Sequence, residues 1–282
     1  MSVDEVWPNF FIVGAPKAGT TSLYEYLKRH PEISMPAKDT YFFCQGGGHS
    51  AIKDRAEYLA LFSGSDGYSA IGEATANYLG DEAAPEAIHR ESPDARIIIS
   101  LRDPIERAFS HYLMFIREGR ESRSFLKAVQ SSPLAEEYVE FSLYCEATKR
   151  YLDTFGGQNS LILMFEDLVR DPRETTERVV RFLGLPTEPL RDLGYPVHNP
   201  GLTPRSRTSA AVLRVRRRMP IHSIPVVPRS WRRFIRFRIL NKPGKPDIDR
   251  AAVDFLRGVF ESDVRDLERL LEKPLPTLRK GW

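Results

Sequence analysis

A strand–loop–helix unit near the N-terminus limits the folds that are open to this chain. The apolar run 9–14 predicts a buried strand that ends in glycine, and residues 21–29 carry apolar side chains at helical spacing. Between them stands the segment Gly14–Thr21, with the sequence GAPKAGTT, which we call the anion loop. Backbone N–H groups and the positive end of a helix converge on such a loop, so the unit predicts an anion-binding cradle.

Two further units of the same kind follow. An apolar run at 96–101 precedes a helical pattern that opens at Pro104, and the run 161–165 precedes another helical pattern. A short strand is predicted at 69–72, and a long helix with one apolar face at about 249–272. Strands that alternate with helices predict an α/β fold, with a P-loop-like parallel sheet flanked by helices.

Length and composition favour one domain. A chain of 282 residues with 41% hydrophobic content can bury one substantial core. We expect a core at about 8–195, a basic cap or loop segment at about 196–247 and a C-terminal helix at about 248–273. The two cysteines are too few for a disulfide framework or an all-cysteine zinc site. The absence of a signal-like start and of about 18 uninterrupted apolar residues leads us to expect a cytoplasmic protein.

Charge is distributed unevenly. Residues 201–245 contain thirteen Lys or Arg and no Asp or Glu, although the formal net charge of the chain is only +3. Such a segment attracts a polyanion: a nucleotide, an anionic substrate, nucleic acid or a phospholipid surface. We do not expect nucleic-acid binding, because the basic run lacks an aromatic stacking motif of a known type. Residues 231–240 are read as a subdomain helix, with peripheral membrane contact as the alternative.

The position of the lysine distinguishes the anion loop from that of a P-loop kinase or NTPase. Compared with G-x-x-x-x-G-K-[ST], the loop keeps both glycines and Thr21 but has Thr20 where the lysine of an NTPase stands. Its own lysine, Lys17, lies inside the loop. That position favours a shorter donor whose leaving group is the 5′-phosphate itself. A kinase or NTPase that uses ATP and Mg²⁺ is the alternative.

The loop resembles the 5′-phosphosulfate-binding loop of sulfotransferases that use 3′-phosphoadenosine-5′-phosphosulfate (PAPS). The segment that begins Leu101-Arg102-Asp103-Pro104 continues the resemblance, because it fits the family pattern R-D-P-x-x-R-x-x-S. The resemblance implies that Arg102 and Ser110 bind the donor's 3′-phosphate. It also implies donor binding by the following residues of the loop and its helix: Lys17, Ala18, Gly19, Thr20, Thr21 and Ser22.

Within this family the chain is most similar to the heparan-sulfate-type branch of N- and 3-O-sulfotransferases, as a bacterial-type member. The segment Lys38–Phe43 (KDTYFF) resembles K-E-x-x-F-F, whose glutamate is the proposed catalytic base, so that role falls on Asp39. The segment Glu73–Tyr78 (EATANY) resembles E-K-[ST]-x-x-Y, with Ala74 in place of the lysine. Tyr144 lies in a segment that resembles one near the nucleotide in this family, and Arg205, Ser206 and Arg207 fall where the family has a basic loop that closes over the donor. The resemblance therefore implies donor binding by these four residues.

The resemblance implies an in-line displacement at sulfur that requires no metal and releases adenosine 3′,5′-bisphosphate. Lys17 would neutralise the leaving oxygen and Asp39 would accept a proton from the hydroxyl or amine of a carbohydrate, glycolipid or small metabolite. A turn-capping role for Asp39 stays open. Glu73 and His111 are alternative bases. Tyr41, Phe42 and Phe43 line an acceptor pocket or belong to the core. The oligomeric state is not readable from the sequence.

Overall fold

The computed structural model describes residues 5–45, 51–196, 202–204, 241–280 and 282. In these residues, five strands form one parallel sheet and two short strands form an antiparallel pair. The strands of the parallel sheet are β1 (Phe10–Gly14), β2 (Ile33–Lys38), β3 (Ala70–Ala74), β4 (Arg96–Leu101) and β5 (Ser160–Met164); the pair is β6 (Leu202–Pro204) and β7 (Asn241–Pro243).

The helices of the described residues alternate with these strands. Their bounds are α1 (Thr20–Leu27), α2 (Arg55–Ala60), α3 (Ala84–Glu91), α4 (Pro104–Glu118), α5 (Phe125–Ser131), α6 (Ala135–Val139), α7 (Cys145–Phe155), α8 (Phe165–Arg170), α9 (Pro172–Phe182) and α10 (Arg250–Leu270). Short 3-10 turns include Ala76–Gly80 and Glu140–Ser142. The predicted fold class, a parallel sheet flanked by helices, is confirmed.

The sheet has the order β2-β3-β1-β4-β5. Every residue of β1 is buried, as expected for a central parallel strand covered on both faces. Phe10 and Ile12 pack on one face with apolar residues of α1 and α9, among them Leu23 and Val179. Alternate residues such as Phe11 point to the opposite face.

The edge strand β2 was missing from the predicted elements. Its buried residues alternate with half-buried or exposed ones, and Pro36 is the exposed one. Proline cannot donate to a strand ladder, so it is confined to edges, starts and bulges. The pairing of β2 with β3 shifts register between Ser34 and Ala37, which agrees with that position.

The described residues fall into two compact units. The first contains those of 1–103, 143–198 and 261–280, and so includes the whole parallel sheet. The second contains those of 104–142, 199–260 and 281–282, with a core in which α4, α5 and α6 pack with the first part of α10. The single-domain organisation stays a prediction. None of the described helices has the length and apolar character needed to cross a membrane.

All five parallel strands end at one edge of the sheet. Chain connections leave β1 toward β2 and β4 toward β5, which lie in opposite directions along the sheet. In open α/β sheets, ligands bind outside the carboxyl ends of the strands where the strand order reverses in this way. The fold therefore points to the space beyond β1 and β4, where the anion loop and Arg102 follow their strands.

Candidate active site

The anion loop is fastened to the end of β4. The N–H of Ala15 donates to the carbonyl oxygen of Ser100 over 2.7 Å. The hydroxyl of Ser100 in turn donates to the carbonyl oxygen of Ala18 over 2.6 Å. Because both contacts involve one residue of a central strand, the path of the loop is fixed relative to the sheet.

Gly19 is required at the turn from the loop into α1. Its φ of 82° lies in the left-handed region, and an added Cβ would lie 2.8 Å from Cδ2 of Leu168 and 2.9 Å from Cδ2 of Phe165. The helix begins at Thr20, so the first-turn N–H groups of Thr20, Thr21 and Ser22 have no carbonyl oxygen of their own helix to bind. This geometry suits an anion.

The loop and β4 bring the two predicted donor-binding cations together. Lys17 is half-buried, and its carbonyl oxygen accepts a hydrogen bond from Nη1 of Arg102 over 3.2 Å. The Arg102 guanidinium also lies over the ring of Phe165, 4.5 Å from its centroid. Arg102 therefore contacts both the backbone of the loop and the first residue of α8.

Glu166 is a site neighbour that the sequence did not single out. One of its carboxylate oxygens accepts the N–H of Asp103 over 3.3 Å. Burial raises the pKa of the Glu166 carboxyl, while hydrogen bonds and the charge of Arg102 act in the opposite direction. The only sequence signal for Glu166 is its position two residues after β5, which places it at the same edge of the sheet as Arg102 after β4.

Asp39 follows the edge strand β2 in an unusual backbone conformation. Its φ is 55°, and its N–H donates to the carbonyl oxygen of Ala74 over 2.9 Å. The carboxylate pairs with Nζ of Lys38 at 2.5 Å, and 49% of the side chain is exposed. Asp39 thus offers an accessible carboxylate, as a base would require, although its catalytic role stays a prediction.

Glu73, by contrast, is fully buried near the end of β3. Four hydroxyls surround its carboxylate, those of Thr40, Tyr58, Thr75 and Tyr78, and we call this set the hydroxyl cage. Burial raises the pKa of the Glu73 carboxyl, and the four hydrogen bonds act against that effect. A side chain enclosed in this way does not reach an acceptor, which argues against the alternative that Glu73 is the base.

The aromatic residues after Thr40 belong largely to a packed cluster. Phe43 is buried, and Phe42 stacks on Tyr58 with ring centroids 4.0 Å apart. Trp7 lies 5.7 Å from the ring of Tyr58. For Phe42 and Phe43 this supports the alternative that they are core residues, whereas Tyr41 is half-buried in a left-handed conformation.

Tyr144 acts on the site through the backbone. It is fully buried, and its hydroxyl donates to the carbonyl oxygen of Arg102 over 2.9 Å. Its N–H and that of Cys145 donate to the carboxylate of Asp263. Tyr144 therefore supports the backbone of Arg102, and its predicted contact with the nucleotide stays a prediction.

The second compact unit holds Ser110 and His111 on α4. Ser110 is half-buried. His111 is buried, with Nδ1 at 3.0 Å from the carbonyl oxygen of Glu137 and 3.2 Å from Nη1 of Arg107. These contacts are typical of a structural histidine and give no support to His111 as the base. The predicted 3′-phosphate role of Ser110 stays a prediction.

Several sequence predictions fall outside the described residues. These are the donor-binding Arg205, Ser206 and Arg207, together with the membrane or subdomain segment 231–240. Most of the basic run 201–245 lies there as well. Their roles stay predictions.

Comparisons with known proteins agree with this architecture. Residues 76–189 match the model of the sulfotransferase family. Heparan sulfate glucosamine 3-O-sulfotransferase 6 of Mus musculus is 30% identical over 186 residues, which cover 64% of this chain and 53% of that protein. Carbohydrate sulfotransferase 15 of Homo sapiens is 28% identical over 245 residues, covering 63% of this chain and 44% of that protein. The chain thus spans about half the length of these relatives.

A solved structure extends the similarity to almost the whole chain. The crystal structure of a sulfotransferase from Alicyclobacillus acidocaldarius is 28% identical and has a TM-score of 0.73. The match covers 98% of this chain and 100% of that one. The family match, the two relatives and this structure together show that the chain contains a sulfotransferase family domain, which includes residues 76–189.

Proposed function

We propose that the chain transfers a sulfuryl group from PAPS to an acceptor and releases adenosine 3′,5′-bisphosphate. The observation that carries the proposal is the contact between Arg102 and the carbonyl oxygen of Lys17. It joins two cationic residues from neighbouring strands at the point where the strand order reverses. PAPS carries separate anionic groups at its 3′ and 5′ positions, and two neighbouring cations suit such a donor.

The residues of the anion loop have distinct parts in this mechanism. The first-turn N–H groups of Thr20, Thr21 and Ser22 hold the 5′-phosphosulfate, and Lys17 neutralises charge on the departing 5′-phosphate oxygen. Arg102 pairs with the 3′-phosphate as a planar, charge-assisted donor. Fixed donors of this kind need no rearrangement as charge develops in the transition state.

Asp39 supplies the base on the other side of the reaction centre. Neighbouring strands lie about 4.8 Å apart, so β2, two positions from β1, lies about 10 Å from it. Strand β3 fills this interval within the sheet, so the sulfuryl group and the acceptor hydroxyl would lie beyond its carboxyl end. An arrangement with the leaving group at β1 and the base at β2 favours in-line displacement, because the reacting groups enter from opposite sides.

Carbohydrate is the first acceptor class to test. The names of the two relatives specify a carbohydrate and heparan sulfate glucosamine as their substrates. Ala74 stands where the heparan-type segment has a lysine, so a cation of that segment is missing here. We therefore include a glycolipid and a small phenol beside the sugar in the acceptor panel.

Thermal shift tests the donor. Ligand at about 100 times its Kd adds about 2.7 kcal/mol, which corresponds to a rise in Tm of about 5–10 °C for a chain of this length. Adenosine 3′,5′-bisphosphate should give this shift, and Lys17→Ala and Arg102→Ala should remove it. Lys28→Ala and Arg170→Ala are matched controls, since Lys28 follows α1, Arg170 ends α8 and both are exposed charged residues. A shift with ATP and Mg²⁺ alone would instead support a kinase or NTPase.

Turnover tests the base. PAPS is supplied with a heparan sulfate oligosaccharide, a glycolipid or 4-nitrophenol, and release of the bisphosphate is measured. Asp39→Asn should lower kcat by about 10²–10⁴-fold while keeping the bisphosphate thermal shift. Asp66→Asn is the control, because Asp66 is an exposed loop residue of the same type. Wild-type turnover in the Asp39 variant would show that another group takes the proton.

A further inference from the structure

The hydroxyl cage binds the Glu73 carboxylate through short hydrogen bonds. The hydroxyls of Thr40 and Thr75 each donate to one of its oxygens over 2.6 Å, and Tyr58 donates to the other over 2.6 Å. Tyr78 completes the cage at 2.9 Å. In its ionised form the Glu73 carboxylate only accepts hydrogen bonds, so it can accept one from each of the four hydroxyls and fix the direction of each.

The same cage holds the segment Asp39–Phe43, which we call the Asp39 segment. The N–H of Thr40 donates to the hydroxyl oxygen of Thr75 over 3.0 Å, while the Thr40 hydroxyl donates to Glu73. The N–H of Phe43 lies 3.4 Å from the hydroxyl oxygen of Tyr78. Thr40 near the start of the segment and Phe43 at its end thus bind the hydroxyls of Thr75 and Tyr78, and Glu73 orients both of these hydroxyls.

The Asp39 segment needs such a hold. Asp39 and Tyr41 both have positive φ, at 55° and 54°. Residues other than glycine rarely adopt this conformation, and they keep it only where the surrounding structure imposes it. Thr40, between them, is buried and provides the side-chain contact with the cage.

We propose that Glu73 is a positioning residue that acts through Thr40 and Thr75 to hold the Asp39 carboxylate at the angle required to take the acceptor's proton. The inference rests on the proposed function, because it assigns the base to Asp39. It gives the two acids different tasks. Asp39 has 49% of its side chain exposed and touches the acceptor, whereas Glu73 is fully buried and touches hydroxyls of the protein.

Substitutions at Thr40 separate positioning from general stability. Thr40→Val keeps the side-chain shape but cuts the link to Glu73, and Thr40→Ser restores the hydroxyl. Since a misplacement of about 1 Å can cost about 10²-fold, Thr40→Val should lower kcat by about 10–100-fold with little change in KM. Thr40→Ser should recover most of the rate.

Tyr24→Phe is the matched control for stability. It removes another buried hydroxyl, one that donates to the carbonyl oxygen of Met35 on the same strand, β2, over 2.8 Å. It should lower Tm and leave kcat close to wild type. Amide hydrogen exchange provides a readout independent of turnover, because Thr40→Val should speed exchange at Asp39 and Thr40 and Tyr24→Phe should not.

Glu73→Gln distinguishes positioning from base chemistry. Glutamine keeps the size and one accepting oxygen, so the variant should lose far less activity than the 10²–10⁴-fold expected of Asp39→Asn. Equal losses in the two variants, with unchanged exchange in the Asp39 segment, would make Glu73 the base and overturn the proposal. Wild-type kcat in Thr40→Val would overturn it too, as would equal losses of kcat in Thr40→Val and Tyr24→Phe.

Different results would refute the proposed sulfotransferase function and the positioning role of Glu73. Wild-type protein that shows neither a thermal shift with adenosine 3′,5′-bisphosphate nor sulfuryl transfer would refute the sulfotransferase assignment, and the catalytic part of the positioning proposal with it. The exchange measurement at Asp39 and Thr40 would still decide whether the cage holds the segment.

Discussion

Replacing Gly19 with alanine tests how closely the anion loop packs on α8. Gly19 has a φ of 82°, and its added Cβ would lie 2.8 Å from Leu168 and 2.9 Å from Phe165. Gly64 has a φ of 91° with no atom within 4 Å of its added Cβ. The two glycines share a positive φ and differ in their surroundings, so Gly64→Ala is a matched control.

The expected losses of stability have two sources: the positive φ, which both glycines share, and the close packing around the added Cβ, which only Gly19 has. A left-handed alanine costs about 1–2 kcal/mol, which is the whole expected loss for Gly64→Ala. Gly19→Ala adds an overpacking cost of about 1–3 kcal/mol, because carbon atoms prefer separations of about 3.5–4.0 Å. Its total loss should therefore be about 2–5 kcal/mol. Removing Cδ2 with Leu168→Ala should reduce the extra loss, because the two residues then no longer collide.

Urea denaturation measures the difference in the free energy of unfolding between Gly19→Ala and Gly64→Ala. For a slope near 2 kcal/mol/M, the midpoint of Gly19→Ala should lie about 0.5–1.5 M below that of Gly64→Ala. Gly19→Ala should also weaken the thermal shift with adenosine 3′,5′-bisphosphate, because it moves the residue that begins the helix. Equal midpoints for the two variants would refute the close packing of loop and α8, and with it the stated requirement for glycine.

Two further predictions concern buried carboxylates. Burial raises the pKa of Glu73 above its ordinary value of 4.5, so the folded state binds a proton more readily than the unfolded one. The stability of wild-type protein relative to Glu73→Gln should therefore decline as the pH rises above 4.5, and Tm against pH for both proteins checks this; a difference that grows with pH would contradict it. Asp263→Ala should lose about 1–3 kcal/mol in denaturant titrations, because the N–H groups of Tyr144 and Cys145 lose their acceptor. Asp266→Ala, an exposed change on the same helix, should be close to neutral, and equal losses in the two variants would contradict the anchoring role.

Three strands of the parallel sheet could be predicted because their signal is local. β1, β4 and β5 are continuous apolar runs, and the observed bounds differ from the predicted ones by at most one residue at either end. β2 gave no such signal, because its buried residues alternate with half-buried or exposed ones and Pro36 interrupts it. Pairing with β3 stabilises this strand, and that long-range pairing cannot be read from the local sequence of β2.

The same limit applies to the site. The anion loop is one contiguous segment, so its glycines and Lys17 could be identified from spacing alone. The contact between Arg102 and the carbonyl of Lys17 joins residues 85 positions apart, and the one between Thr40 and Glu73 joins residues 33 apart. Such contacts depend on strand order. Resemblance implied that Arg102 binds the donor's 3′-phosphate but not that it contacts the anion loop, and the hydroxyl cage had no sequence signal.

Burial separates residues that a shared motif treats alike. The pattern R-D-P-x-x-R contains two arginines, Arg102 and Arg107. Arg102 is half-buried after β4 and reaches the anion loop. Arg107 is fully buried in the second unit and donates to the hydroxyl of Ser142 and to the carbonyl oxygens of Glu137 and Tyr138. A guanidinium has five donors in a fixed plane, so Arg107 can brace several chain segments at once, and lysine could not replace it there. One arginine of the motif is therefore available to an anion, while the other holds the end of the α6 region against α4.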